Sequence, residues 1–183
     1  MTRSPVRLVA LGVAVVLVGF GVFLAVQKRN EPSVPRLVAE NAIVPGFAFT
    51  TLDGRDLTPE SLAGKSYVIN FFNSWCIPCQ KEHPELQAFY AAHAGERDFE
   101  MIGVVRDDEE SSIRDYVARE GVTWPVAIGA GADSAAVDFG TTGQPETYVV
   151  APDGVVVCGT VGPTDRATLD LWLQAARTGK RCT

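Results

Sequence analysis

The sequence predicts one α/β domain carried behind a single transmembrane helix, and three observations lead there. Short apolar runs alternate with stretches of helical periodicity, the pattern of strands interleaved with helices. Two cysteines, Cys76 and Cys79, stand where one such run, Tyr67 to Phe72, gives way to a helical stretch from Gln80 to Ala94. Leu8 to Val26 is an unbroken apolar segment without a charge.

At about 1.5 Å per residue, the 19 positions of that segment come close to the ~30 Å hydrocarbon thickness of a bilayer. A secretory signal has a shorter apolar core and a small-x-small cleavage site. Phe23-Leu24-Ala25 is a poor version of that site, so an uncleaved anchor over 8–26 is expected rather than a cleaved signal. Positive charges nearly balance across the span, with Arg3 and Arg7 before it and Lys28, Arg29 and Arg36 after. The leader, 1–7, is short enough to stay inside. That orientation makes a single-pass protein of the cell membrane with its domain on the extracytoplasmic side. Residues 27–39, with Pro32 and Pro35 among polar neighbours, read as a linker. Residues 40–178 form the domain, long enough for a real core, and 179–183 a C-terminal tail. The 183-residue chain has a net charge of −6. Residues 1–40 hold five Lys/Arg against two Asp/Glu, which leaves −9 on the remainder. An acidic domain argues against binding nucleic acid.

Within the domain, Phe47-Ala48-Phe49-Thr50 followed by Asp53-Gly54 predicts a short strand and a hairpin turn. Tyr67–Phe72 is apolar enough for a strand buried on both faces. In the next helix Leu86, Phe89, Tyr90 and His93 fall on one face. Phe99–Val105 is the following strand. Ser111–Glu120 reads as a helix with Ile113, Tyr116 and Val117 inward and Gly121 as its terminator. Trp124–Ile128 reads as a short strand, Gly129-Ala130-Gly131-Ala132 as a flexible loop, and Ala135–Phe139 as a helical turn. Thr147–Ala151 and Val155–Val161 flank Pro152-Asp153-Gly154, a hairpin signal. The last helix runs from near Thr164 to about Arg177, with Leu169, Trp172, Leu173 and Ala176 inward.

Two cysteines three apart at the mouth of a helix can cycle between dithiol and disulfide. Cys76, at the helix N-terminus, meets unpaired N–H groups and the positive end of the macrodipole, both of which favour a thiolate. It is therefore the expected nucleophile, and Cys79, one turn on, the resolving cysteine. Zinc binding needs four ligands, and the remaining Cys158, Cys182, His83 and His93 have no paired spacing. An inert structural disulfide is a poor account of cysteines one turn apart behind Trp75. Cys158 and Cys182 lie in the last strand and just beyond the last helix. In an oxidising compartment they are expected to bond.

The order of elements, Trp75-Cys76-Ile77-Pro78-Cys79 with Glu82 three residues on, and Gly143-Gln144-Pro145-Glu146-Thr147-Tyr148 together resemble one family. It is the membrane-anchored thioredoxin-like reductases of cytochrome c biogenesis, the TlpA/ResA/CcmG-DsbE group. The resemblance covers roughly residues 40–178. It implies a thioredoxin-like fold with an N-terminal β-hairpin, and a cis bond before Pro145. Trp75, Gln144 and Pro145 are then the substrate-binding residues, the backbone before Pro145 pairing with an extended client. Asn70, six residues before Cys76, stands where cytosolic thioredoxins carry a buried aspartate and agrees with the cytochrome-maturation group. Glu82 and Glu146 are the carboxylates left to tune the cysteines, although Glu82 also fits a solvated helix position.

The family implies a reductant that opens disulfides of apocytochrome c, or of other exported thiol proteins. Its electrons come from a membrane-embedded thiol–disulfide donor, with no cofactor and no metal. A general extracytoplasmic reductase or an oxidant keeps the same chemistry. Copper delivery, peroxide reduction and a non-catalytic interaction module are weaker alternatives.

Overall fold

The structure, a computed structural model, describes residues 16–20 and 42–182. The chain divides into two units, Met1–Val34 and Pro35–Thr183. In the first, residues 16–20 are helical. The expected leader, the linker and the rest of the anchor lie outside the described residues. Among the described residues no helix is long and apolar enough to cross a membrane.

The second unit opens with a small antiparallel hairpin, β1 (Phe49–Thr50) and β2 (Asp56–Leu57), followed by a 3-10 turn at Glu60–Leu62. A five-stranded sheet then forms from β3 (Ser66–Phe72), β4 (Phe99–Val105), β5 (Val126–Ala127), β6 (Glu146–Val150) and β7 (Val156–Val161). The order across the sheet is β5-β4-β3-β6-β7. β3 runs parallel to β4, and β4 to β5, while β6 is antiparallel to β3 and β7 to β6. Four helices connect or follow the strands: α1 (Ile77–His93), α2 (Glu110–Glu120), α3 (Ala130–Asp138) and α4 (Arg166–Thr178).

β3 is central, and all seven of its residues are buried. Strand alternation divides them between two cores. Tyr67, Ile69 and Phe71 pack with Ile102, Val104, Tyr148, the hairpin's Phe49 and the alanines of α3. Val68 and Phe72 pack with Met101, Val149, Leu86 and Phe89 of α1, Ile113 and Tyr116 of α2, and Leu169 and Leu173 of α4. Asn70, between Val68 and Phe72, therefore belongs to the face that carries α1.

The helix ends follow local chemistry. Gly121 and Gly179, at φ 67° and 66°, close α2 and α4 in the left-handed region open to glycine. Asp165 caps α4 by accepting from Thr168 N–H, so the helix starts at Arg166, two residues beyond the expected Thr164.

Two readings of the sequence need correction here. Trp124–Ile128 narrows to Val126–Ala127, since pairing with β4 spans only Gly103 and Val104. The supposed loop at Gly129–Ala132 is instead the first turn of α3. A Cβ on Gly131 would collide with the Ala48 carbonyl oxygen, so the missing side chain is what lets this helix lie against the segment leading into β1. The tail is also held. Cys182 is disulfide-bonded to Cys158 in β7, and its N–H donates to the Val157 carbonyl at 3.3 Å.

Gly131→Ala should therefore lower the unfolding free energy by about 1–3 kcal/mol, as overpacking does, despite alanine's better helix propensity. Removing the Cys158–Cys182 bond, which closes a loop at a separation of 24 residues, should cost about 3 kcal/mol in the chain-entropy account. Urea unfolding of oxidised protein measures both.

Candidate active site

The site forms where β3 ends and α1 begins. The connecting residues Asn73–Cys76 are tied down on several sides. Buried Asn73 donates its amide to the Arg106 carbonyl. Ser74 N–H donates to the Asp108 carboxylate at 2.7 Å, and the Ser74 carbonyl accepts from the Gln80 side chain at 2.8 Å. Cys76 N–H donates back to the Asn73 carbonyl at 3.2 Å.

Cys76 is the N-cap of α1, with extended backbone (φ −78°, ψ 101°), and its sulfur accepts the Cys79 N–H at 3.2 Å. Sulfur thus fills the role usually given to a Ser, Thr, Asp or Asn oxygen. Pro78 lies in the first turn, where a missing N–H leaves no helical bond unmade. Cys76 and Cys79 are joined as a disulfide, with Cα atoms 5.2 Å apart. Both are nearly covered, at 4% and 3% exposure, whereas the flanking Trp75 and Ile77 are 61% and 65% exposed. The disulfide is thus covered, while the apolar side chains on either side of Cys76 in sequence stand out into solvent. Among the described residues no group of three or more His, Cys, Asp or Glu is placed to hold a metal ion.

Behind the disulfide the structure brings Asn70 and Glu82 together. Glu82 lies at i+3 from Cys79 on α1, on the same side of the helix. It is 2% exposed, which removes the solvated reading of this position. One carboxylate oxygen accepts the Thr164 N–H at 3.0 Å and the other faces the Asn70 amide at 3.5 Å. The Asn70 amide also donates to Thr147 at 2.9 Å. Burial pushes the Glu82 carboxyl up to about 7, with the Thr164 N–H and the Asn70 amide opposing the rise. A carboxyl of that strength beside Cys79 can take up or return a proton near neutral pH.

Glu146 does not join them. One of its oxygens accepts the Thr142 N–H at 3.1 Å, and the Tyr148 hydroxyl donates to the other. Tyr148 packs in the core on the α3 side of the sheet, and strand alternation puts Glu146 on that side too. The expected tuning of the cysteines by Glu146 finds no direct contact: its hydrogen bonds go to Thr142 and Tyr148 and fasten the loop that leads into β6. The Gln144–Pro145 bond in that loop is cis. Pro145 is buried and its carbonyl accepts the Gly162 N–H at 2.8 Å. Because β6 runs antiparallel to β3 with Glu146 opposite Phe71, Gln144 and Pro145 reach the end of the sheet from which the Cys76 loop departs.

Two contributors were not anticipated: the Asp108 carboxylate, which accepts the Ser74 N–H, and Thr164, whose N–H donates to Glu82. His83, weighed from the sequence only as a metal ligand, is buried at 4% exposure. His93 is turned away, its ring nitrogens facing Glu96 at 3.2 Å and Asp170 at 2.9 Å.

Against known proteins, the Redoxin family profile matches residues 39–171. The chain belongs to the Redoxin family. This Redoxin is 29% identical over 130 residues to the thiol-disulfide oxidoreductase ResA of Bacillus thuringiensis (strain Al Hakam), covering 71% of this chain and 74% of that one. It is 32% identical over 114 residues to the thiol:disulfide interchange protein CycY of Rhizobium leguminosarum bv. viciae, covering 62% and 59%. A thioredoxin-family thiol:disulfide interchange protein of Chlorobium tepidum TLS superposes with a TM-score of 0.65 at 30% identity, over 75% of this chain and 97% of that one. The Redoxin fold is thus thioredoxin-like, and the resemblance to the ResA-containing group holds. Its enzyme chemistry is protein thiol–disulfide oxidoreduction.

Glu82 yields a pH test. Its folded value, about 7, lies above the ordinary 4.5. Between those values the folded state binds more protons than the unfolded, so stability falls as pH rises from 4.5 to 7. At ~1.4 kcal/mol per unit the penalty reaches roughly 3 kcal/mol above pH 7. Glu82→Gln should remove it: oxidised variant and wild type should match at pH 4, and the variant should be the more stable at pH 8 by denaturant unfolding.

Proposed function

We propose that this chain is an extracytoplasmic, membrane-anchored reductant that opens disulfides in apocytochrome c, at Cys-x-x-Cys-His sites, before haem attachment. Residues 8–26 anchor it, 27–39 tether it and 40–178 carry the chemistry. An apolar stretch of bilayer length and the ResA and CycY relatives support this reading.

One contact carries it: the Cys76 sulfur accepts the Cys79 N–H at the head of α1. In the dithiol form that N–H and the helix terminus favour a Cys76 thiolate. The thiolate attacks a client sulfur, forming a mixed disulfide, and the second client sulfur leaves with the electron pair. Cys79 gives its proton to Glu82 and attacks Cys76. The mixed disulfide breaks, the reduced client departs, and the enzyme is left as the Cys76–Cys79 disulfide. A membrane-embedded thiol–disulfide donor returns two electrons.

Glu82 supports the reducing direction. Strong oxidants of this class stabilise their reduced form. A buried carboxyl beside Cys79 withholds that stabilisation from a thiolate by like-charge repulsion, which favours the disulfide and makes the dithiol reducing. Asn70 steadies Glu82, while Trp75, Gln144 and Pro145 receive the client's extended backbone.

Cys79→Ala should trap clients on Cys76, and mass spectrometry of the adducts should find cytochrome c precursors. A broad set of exported proteins would point to a general reductase. The midpoint potential should lie at or below about −200 mV, and one near −120 mV, that of a strong oxidant, would overturn the assignment.

A further inference from the structure

Leaving β7, the chain runs past the site as a strap of residues 162–166 and donates a backbone N–H to a neighbouring element at every second position. Gly162 donates to the Pro145 carbonyl at 2.8 Å, Thr164 to the Glu82 carboxylate at 3.0 Å and Arg166 to the Glu85 carboxylate at 3.1 Å. The first two acceptors belong to the site already described. The third, Glu85, has no part in the exchange steps above. It lies three residues after Glu82 on α1, on the same side of the helix.

Two local features keep the strap stiff. Pro163 has its φ fixed by its ring. Asp165, extended at φ −118° and ψ 165°, accepts the Thr168 N–H at 2.8 Å and so fixes the entry into α4. The N–H groups of Thr164 and Arg166 are thus two donors on one short rigid piece, and Glu82 and Glu85 are two acceptors on one helix. The contact at Arg166 is exposed, and there water serves a helix-terminal N–H equally well. What Glu85 adds is therefore position, since it pins the strap two residues beyond the N–H that Glu82 accepts. Glu82, at 2% exposure, has little solvent to take the place of Thr164 if the strap lifts.

We propose that Glu85 is a positioning residue for the resolving step, holding the strap so that the Thr164 N–H stays on Glu82 while Glu82 takes the Cys79 proton. This rests on the reading above, in which Cys79 resolves the mixed disulfide. In that step the Cys79–Cys76 bond forms and the Cys76–client bond breaks, the electron pair leaving on the client sulfur. That sulfur takes a proton from water, and Glu82 returns the Cys79 proton to solvent. Protons and electrons balance, and no further oxidant or reductant enters. Loss of the Thr164 N–H and loss of the Glu85 charge act on Glu82 in opposite directions. The N–H favours the carboxylate against burial, so its loss raises the Glu82 value. A neighbouring negative charge disfavours the carboxylate, so its loss lowers the value. The groups facing Glu82 are Cys79 and Glu85, one turn either way on α1, Asn70 from β3, Tyr116 from α2 and Thr164 from the strap. Arg166 faces Glu85.

The test is stopped-flow kinetics on the full chain, with a disulfide-closed synthetic Cys-x-x-Cys-His peptide as client, separating attack by Cys76 from release by Cys79. Glu85→Ala should raise the inflection of the release pH profile by about one pH unit, the size of a charge-assisted hydrogen bond partly lost. At pH 7 that lowers the Glu82 carboxylate fraction from about a half to about a tenth and slows release about five-fold. Attack should change by less than about two-fold. Glu85→Gln keeps an acceptor without the charge, and should leave release within about two-fold of wild type and its inflection unraised. Arg166→Pro removes the same bond from the donor's side. Proline is tolerated at this first helical position, and the extended Asp165 before it fits a following proline, so this variant should reproduce Glu85→Ala. An inflection in Glu85→Ala at or below the wild-type position overturns the proposal, as does equal slowing of attack and release, the mark of a packing defect. Wild-type release in Arg166→Pro overturns it too. If the wild type forms no mixed disulfide, or if Glu82→Gln keeps the inflection, the reading of Cys79 and Glu82 falls, and the proposal with it.

Discussion

The Cys79 N–H that donates to the Cys76 sulfur at 3.2 Å joins the fold to the chemistry. A helix must find partners outside itself for its first N–H groups. Here the partner is also the sulfur proposed to attack. Any change that moves the start of α1 therefore moves that proposed nucleophile and the helix dipole beside it together. The surrounding contacts read as consequences of this constraint. Ser74 is gripped by Asp108 on one side and Gln80 on the other, and Asn73 ties β3 to the end of β4 through the Arg106 carbonyl. The fully buried β3 beneath them supplies a rigid base.

The two glutamates show how strand geometry separates similar residues. Glu82 and Glu146 are both fully or almost fully buried near the same end of the sheet. Glu82 reaches the face that carries α1, where an amide and a single backbone N–H attend it. Glu146 is turned to the other face by the two-residue period of β6 and is taken up by Tyr148 and Thr142. The first is left with a proton affinity near neutrality, and the second is committed to shaping the Pro145 loop.

Much of this was legible in the chain. The apolar run Tyr67–Phe72 followed by Trp-Cys-x-x-Cys located the site, because that junction has few structural alternatives. Gly121 and Gly179 marked helix ends through their backbone freedom. What escaped depended on tertiary contact. The Gly-Ala run at 129–132 reads as loose until the Ala48 carbonyl is seen pressing on Gly131. Asp108 and Thr164 join the site through backbone hydrogen bonds to residues 34 and 82 positions away, for which the sequence carries no local signature. The side of the sheet to which Glu146 turns depends on register with β3, and register is a property of the assembled sheet.

The covering of the sulfurs has a further consequence. With Cys76 at 4% exposure between Trp75 and Ile77 at 61% and 65%, little of the sulfur meets solvent. Displacement at sulfur requires three atoms in line, so a reacting disulfide must bring its own sulfurs over that small exposed area. A crosslink on a pliable stretch of chain meets this demand more readily than one packed inside a finished globule.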